Sequence, residues 1–380
     1  MAKPVADDAV LKTSNKKKYL LWAVGLLLLL GAIGGIVGGI IAVRRSRQRD
    51  VFPAFRGVSY TPWGSDVASS TNSRASIQAM KDANVNMVAL NTFSFIEDQD
   101  DTGPVTLDTT ASSRTNYSTD DAGLVEGIRY IRAQGMDVFF KPNLDLKDAQ
   151  WRGKIPASDG FFRSYKEWMV SRAVVAQSNG VSILSVGTEF NGAQGDEAAW
   201  RDIVAAVREV YDGQLTYSAN HDSYQEVAWW DAVDMIGIDA YFPLTENEDD
   251  EPSKPTIQQR WVDQGEQIGM FRNKANLRTM PVIFAEAGYR SATGATTESG
   301  HDGGANQGDR RDNVNLDLQA DAYDALLGIM GGHRFDWWQG AFFWNWEVNP
   351  RDNEDTYNSW TPQGKPALQV MTEFYQKWAE

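Results

Sequence analysis

Residues 137–190 read DVFFKPNLDLKDAQWRGKIPASDGFFRSYKEWMVSRAVVAQSNGVSILSVGTEF. DVFFKPNL (137–144) and VSILSVGTEF (181–190) are β-branched and aromatic runs, apolar nearly throughout. Between them, residues 161–178 place apolar side chains at i, i+3, i+4 spacing, which predicts a helix. Strand, helix and strand in that order form one βαβ unit. Strands apolar on both faces belong to a parallel sheet that is covered on its outside.

The same rhythm continues in both directions. Upstream lie strand candidates GVSYTP (57–62) and NMVALNTF (86–93); downstream come LTYSAN (215–220), DMIGIDAYF (234–242), PVIFAEAGY (281–289) and GAFFWNW (340–346). Helical patterns cover 73–84, 120–135, 197–211, 257–275, 315–330 and 365–379, while 223–233 has room only for a brief helix. Eight such units across residues 55–380 are the arithmetic of a closed (β/α)₈ TIM barrel. An open doubly wound sheet would carry a glycine-rich first turn, and the first turn here reads TPWGSD, with no G-x-G-x-x-G. Two polar loops, 245–256 and 290–314, come after strands and so belong to the catalytic face. The longer is read as a lid or as a plain insertion.

The first fifty residues differ. A polar tail (1–18) precedes Tyr19 to Val43, an uncharged apolar run long enough to span a bilayer, and RRSRQR opens a linker over 44–54. The run is too long for a secretory signal core and predicts an uncleaved single-pass transmembrane signal anchor. Gly31, Gly35 and Gly39 repeat at the spacing that lets membrane helices approach closely, which is compatible with a homodimer. With lysines before the span and arginines after it, the positive-inside rule favours neither orientation. The expected arrangement is type II, with the barrel extracellular or in the secretory lumen. Asn116 begins the N-x-S/T sequon of the chain.

Charge and composition narrow the function. Net charge is −15, and nine of the 36 Lys and Arg lie in the first fifty residues, so the remainder is more acidic still. Such a surface repels nucleic acid. There is no cysteine, and the three histidines form no H-x-H or H-E-x-x-H, so no metal and no cofactor is implied. Fourteen tryptophans supply flat rings for sugar faces as well as core.

Polar residues at strand ends point into a barrel mouth. They are Lys141, Asn143 and Asp145, with Trp151 and Arg152 just beyond, then Glu189, Asn220, Asp239, Tyr241, Glu286, Trp344 and Trp346. Trp63 in the first turn joins them. Lys141 is read as a donor to a substrate hydroxyl or as the partner of Asp145, with a Schiff base as the lesser alternative. Two glutamates ending apolar strands, in SVGTEF and IFAEAG, suit glycoside cleavage with retention, which needs two carboxyls about 5–5.5 Å apart.

The stretches KPNLDLKDAQWRGKI, SVGTEF, LTYSANHD, WWDAVDMIGIDAYFPL, PVIFAEAGYRS and FFWNW resemble glycoside hydrolase family 113, a clan A family associated with β-1,4-mannan. The resemblance implies Glu189 as acid/base, Glu286 as nucleophile and Tyr241 as a hydrogen-bond donor to the nucleophile. It also implies a tryptophan of strand eight, Trp346 in preference to Trp344, as sugar platform, with barrel core as the alternative for both; Trp151, after strand three, is read as a candidate for a more distant subsite. Asn143 stands where the family usually has histidine, and Thr188 where clan A usually has asparagine, so Asn220 is the candidate for the 2-hydroxyl contact. The expected partner is a polysaccharide or oligosaccharide. A transglycosylase or a non-catalytic carbohydrate-binding barrel would use the same scaffold.

Overall fold

A computed structural model describes residues 53–62, 66–106, 118–246, 252–297, 313–332 and 334–380. In it the eight apolar runs become parallel strands: β1 (Phe55–Tyr60), β2 (Met87–Ile96), β3 (Asp137–Leu146), β4 (Ile183–Thr188), β5 (Gln214–Asn220), β6 (Ile236–Asp239), β7 (Val282–Ala287) and β8 (Trp338–Trp346). They pair in chain order, and β8 closes on β1. Helices α1 (Thr71–Asp82), α2 (Asp121–Ala133), α3 (Asp159–Ser178), α4 (Glu197–Arg208), α5 (Lys254–Lys274), α6 (Leu316–Met330) and α7 (Pro366–Ala379) cover the barrel. Between β5 and β6 stand two 3₁₀ turns, Tyr224–Glu226 and Trp230–Ala232, in keeping with the shortness of that connection.

Local chemistry sets the boundaries. α3 begins two residues before the apolar pattern because Ser158 caps it, its Oγ accepting from the Phe161 N–H. β2 and β3 run past their apolar cores because they pair without a break from Met87 and Asp137 to Ile96 and Leu146.

Inside the barrel, Met87, Ala89, Phe139, Ile183, Met235, Ile283, Ala285 and Phe342 form a plug. Phe139 and Phe342 meet at 4.9 Å between ring centroids. Gly57 makes room for this: a Cβ there would come within 2.4 Å of the Phe342 ring. The outward strand residues, among them Phe140, Val186, Phe284 and Phe343, pack under the helices.

Strict alternation would keep each strand's inward set constant. Three strands break it near their C-termini. On β4 the residues from Ser185 to Thr188 oppose Thr216 to Ser218. On β7, Phe284 to Glu286 oppose Ile238 to Asp239. On β8, Phe343 to Trp346 oppose Val58 to Tyr60. Each slip adds one residue and re-aims the side chains beyond it, as bulges beside active sites do.

The anchor (19–43), its tail, most of the 44–54 linker, Trp63, Asn116 and the centres of both polar loops lie outside the described residues. The ends of the longer loop are tied by a bridge between Ala292 and Val314. Among the described residues no helix is long and apolar enough to cross a membrane.

Candidate active site

Alternation on β3 carries the inward side from Phe139 to Lys141, Asn143 and Asp145, so the plug gives way to polar groups towards the mouth. Lys141 is fully buried. Its Nζ donates to Glu286 Oε1 at 2.6 Å and, at longer range, to Asp239 Oδ1 at 3.4 Å. The Tyr241 hydroxyl donates to the other oxygen of Glu286, Oε2, at 2.9 Å. Glu286 is therefore gripped on both oxygens, by an ammonium and by a phenol. The slip on β7 is what brings it there, since strict alternation after inward Ala285 would turn it out.

Electrostatics agree with the geometry. Burial opposes the charge on Lys141, yet Asp239 and Glu286 together hold its pKa above the ordinary lysine value. An ammonium so held, and bonded to Glu286 at 2.6 Å, is engaged as a donor rather than free as an amine. Burial, then the Glu286 and Asp239 charges, push the Tyr241 phenol well up, so it remains a donor.

Glu189 lies just past the slip on β4 and has φ of +56°, a left-handed conformation uncommon for a side chain of this kind. Its N–H bonds Ser218 O at 2.8 Å. Its carboxylate receives one long bond, from Trp151 Nε1 to Oε2 at 3.4 Å. Burial raises its pKa above the ordinary glutamate value; Arg152 pulls it down, and Glu286 pushes it up again. Two carboxyls that feel each other thus sit in opposed settings: one gripped by donors, one biased towards keeping its proton.

A family model for Glycoside Hydrolase Family 113 matches residues 62–377. The chain belongs to glycoside hydrolase family 113. A solved family 113 β-mannanase from Alicyclobacillus acidocaldarius, in complex with ManMIm, superposes with a TM-score of 0.71 at 26% identity, covering 86% of this chain and 98% of that one. A family 113 β-1,4-mannanase complex matches with a TM-score of 0.69 at 22% identity, covering 85% and 99%. A family 5 mannosidase from Rhizomucor miehei shares the fold with a TM-score of 0.58 at 10% identity, covering 86% and 93%. No curated protein sequence matches.

Within this family 113 barrel several expected sugar contacts have other duties. Lys141 bonds neither substrate-facing space nor Asp145. Asp145 Oδ1 instead accepts from Arg152 Nε at 2.8 Å. Asn143 is buried and fully employed: Nδ2 donates to Asn91 Oδ1 and Lys141 O, and Oδ1 accepts from Arg152 at 3.2 Å. These two residues hold Arg152, whose charge reaches Glu189. Asp239 is fully buried, with its Oδ1 3.4 Å from Lys141 Nζ. Asn220 Oδ1 accepts from the His221 N–H, so a 2-hydroxyl contact from Asn220 would fall to its Nδ2.

The aromatic expectations divide. Trp346, expected as platform, is 1% exposed, packs in the barrel–helix layer and donates Nε1 to Ser76 Oγ of α1 at 3.0 Å. The slip on β8 turns it outward, and a sequence pattern cannot show that slip. Trp344 stays half-buried at the strand end. Trp151 is 44% exposed, and its Nε1 donates to Glu189 Oε2 at 3.4 Å. One residue was not expected: half-buried Trp360, from the loop after β8, stands edge-on to Tyr241 at 5.9 Å, under Arg290. A tryptophan in a loop after a barrel strand is the signal that could have found it.

Proposed function

We propose that this family 113 glycoside hydrolase is a retaining β-mannanase, with Glu286 as nucleophile and Glu189 as acid/base. The observation that carries the reading is the asymmetry of the pair: Glu286 accepts from Lys141 and Tyr241 on its two oxygens, whereas Glu189 accepts one long bond and is pushed towards its protonated form. Retention proceeds by two displacements. In the first, a Glu286 oxygen bonds to the anomeric carbon as the glycosidic bond breaks, and the leaving oxygen takes the proton of Glu189. In the second, Glu189 removes a proton from water, whose oxygen attacks the same carbon and frees Glu286. Tyr241 and Lys141 hold the nucleophile in place, one on each oxygen. The mannan preference is supported by likeness to the family 113 β-mannanase at 26% identity.

The test is Glu189→Ala assayed with β-mannan and with an aryl β-mannoside. Turnover of mannan should collapse, the aryl substrate should retain some, and azide should restore more by replacing water as a glycosyl azide with retained configuration. Equal loss on both substrates with no azide rescue would remove Glu189 from the role. A panel of mannan, glucomannan, β-glucan and xylan checks the sugar.

Residues 19–43 are proposed as a membrane anchor on the evidence of their length and lack of charge, and the type II orientation, with the barrel outside the cytosol, follows from a polysaccharide substrate. Cytosolic labelling of the barrel in intact cells would contradict this.

A further inference from the structure

Lys141 has two carboxylate neighbours, and one of them takes no part in the double displacement. Asp239 is fully buried, so it meets no substrate. It is also no ordinary structural carboxylate. Its Oδ1 faces the Lys141 ammonium at 3.4 Å, and its Oδ2 is buried without a partner. Native cores rarely leave such an oxygen unused, and where they do the site has often been kept for a purpose other than stability. Asp239 is tied to the nucleophile through the backbone as well: it pairs with Glu286 across β6 and β7, and the Ala240 N–H donates to Glu286 O at 2.7 Å.

The double displacement makes Glu286 alternate between a carboxylate and a glycosyl ester. In the free enzyme Lys141 holds Glu286 at 2.6 Å. When Glu286 bonds to the anomeric carbon, its charge is gone and an ester oxygen is a poorer acceptor. The total charge of the site is unchanged, because Glu189 has given its proton to the leaving oxygen. The local balance is altered: a fully buried ammonium has lost its nearest anion, and a buried charge without a partner is strongly unfavourable. We propose that Asp239 is the standby acceptor for Lys141, taking over its ammonium while Glu286 is esterified and so stabilising the covalent intermediate. It is a positioning residue, acting through Lys141. Burial, with Glu286 and then Glu189 adding to it, pushes the Asp239 pKa well above the ordinary aspartate value against the pull of Lys141. Moving negative charge from Glu286 to Glu189 therefore leaves Asp239 as the acceptor to which Lys141 turns.

The inference rests on Glu286 being the nucleophile, and the experiment separates the two. The full-length protein is treated with a 2-deoxy-2-fluoro-β-mannosyl fluoride, the labelled peptide is identified, and rates of trapping and of reactivation after reagent removal are measured. A label on any residue other than Glu286 in the wild type overturns the nucleophile assignment. With the label on Glu286, Asp239→Asn should trap at least about tenfold more slowly and reactivate about tenfold faster, because it raises the intermediate against both neighbouring states. Rates slowed alike, or reactivation unchanged, would make Asp239 merely structural. Lys141→Met with Asp239→Asn is the second variant: with no ammonium to hold, the opposed shift of the two rates should vanish relative to Lys141→Met alone. Its persistence there contradicts the proposal even if the single Asp239 variant fails to fold.

Discussion

Lys141 and Lys365 are both fully buried, and both lie near a glutamate, yet their surroundings differ in kind. Lys365, just before α7, donates to Ser359 O, Ser359 Oγ and Thr361 O, with Glu354 at 3.8 Å. Glu354 in turn accepts from Ser359 Oγ and the Arg351 N–H. That cluster ties down the loop that presents Trp360. Lys141 is met chiefly by two carboxylates, one of them carrying a buried oxygen with no partner. A lysine whose work is structural is answered mostly by neutral oxygens that never change charge. Lys141 is answered by a carboxylate that, on the proposed mechanism, does.

The largest expected effect tests the gripped glutamate itself. Glu286→Gln should reduce kcat on mannan by at least about four orders of magnitude, as loss of a nucleophile does, while any lowering of the melting temperature leaves the chain folded under assay conditions. Steady-state kinetics and thermal unfolding read the two quantities, and activity within about tenfold of wild type would break the assignment.

Next comes the lysine pair. Lys141→Met removes a donor aimed at the nucleophile and should lower kcat by about 10²–10³. Lys365→Met should instead destabilise the fold by about 1–3 kcal/mol, because the buried oxygens of Ser359 and Thr361 lose their donor and Glu354 is left with Arg351 as its cation. The activity of the molecules still folded should stay near normal. The opposite pattern in urea unfolding and kcat would erase the distinction drawn between the two sites.

The tryptophans extend the comparison from charge to packing. Trp346→Ala should cost about 3–5 kcal/mol of stability, as large-to-small changes in a core do. Trp151→Ala, at an exposed position, should leave the unfolding midpoint nearly unchanged while kcat/KM falls, since it loses a ring beside Glu189 and the bond to its Oε2. If Trp151→Ala proves the more destabilising of the two, their roles have been exchanged.

The smallest effect is a displacement along the pH axis. The first displacement needs Glu189 protonated, so kcat/KM falls as pH rises through its raised pKa. Arg152 lowers that pKa by favouring the charged form. Arg152→Met therefore raises it further, and the alkaline limb should move to higher pH by roughly half a unit to one unit. Movement to lower pH would mean that this limb reports some other group.

Much of this architecture is legible in residue order. Eight apolar runs and seven amphipathic ones are long-period signals, and each structural element overlaps its pattern, with ends displaced by caps such as Ser158. Glu189, Glu286 and Tyr241 are legible because each ends or comes just after an apolar run. What escapes is set by single-residue events. The slip on β8 reverses Trp346, and no change of composition marks it. The employment of Asn143 and Asp145 in holding Arg152 depends on where a 3₁₀ turn (Arg152–Lys154) sets the guanidinium, which is a tertiary outcome. The bond from Lys141 to Glu286 joins residues far apart in sequence, and only barrel closure brings them together.

The central claim is that Glu286 and Glu189 act as nucleophile and acid/base of a retaining pair. Proton NMR of the first product formed from a β-mannan oligosaccharide, recorded before mutarotation, tests it most directly. The account predicts that the new reducing end appears as the β anomer and only later equilibrates with α. Appearance of the α anomer first would mean inversion in one displacement, and Glu286 could not be the nucleophile.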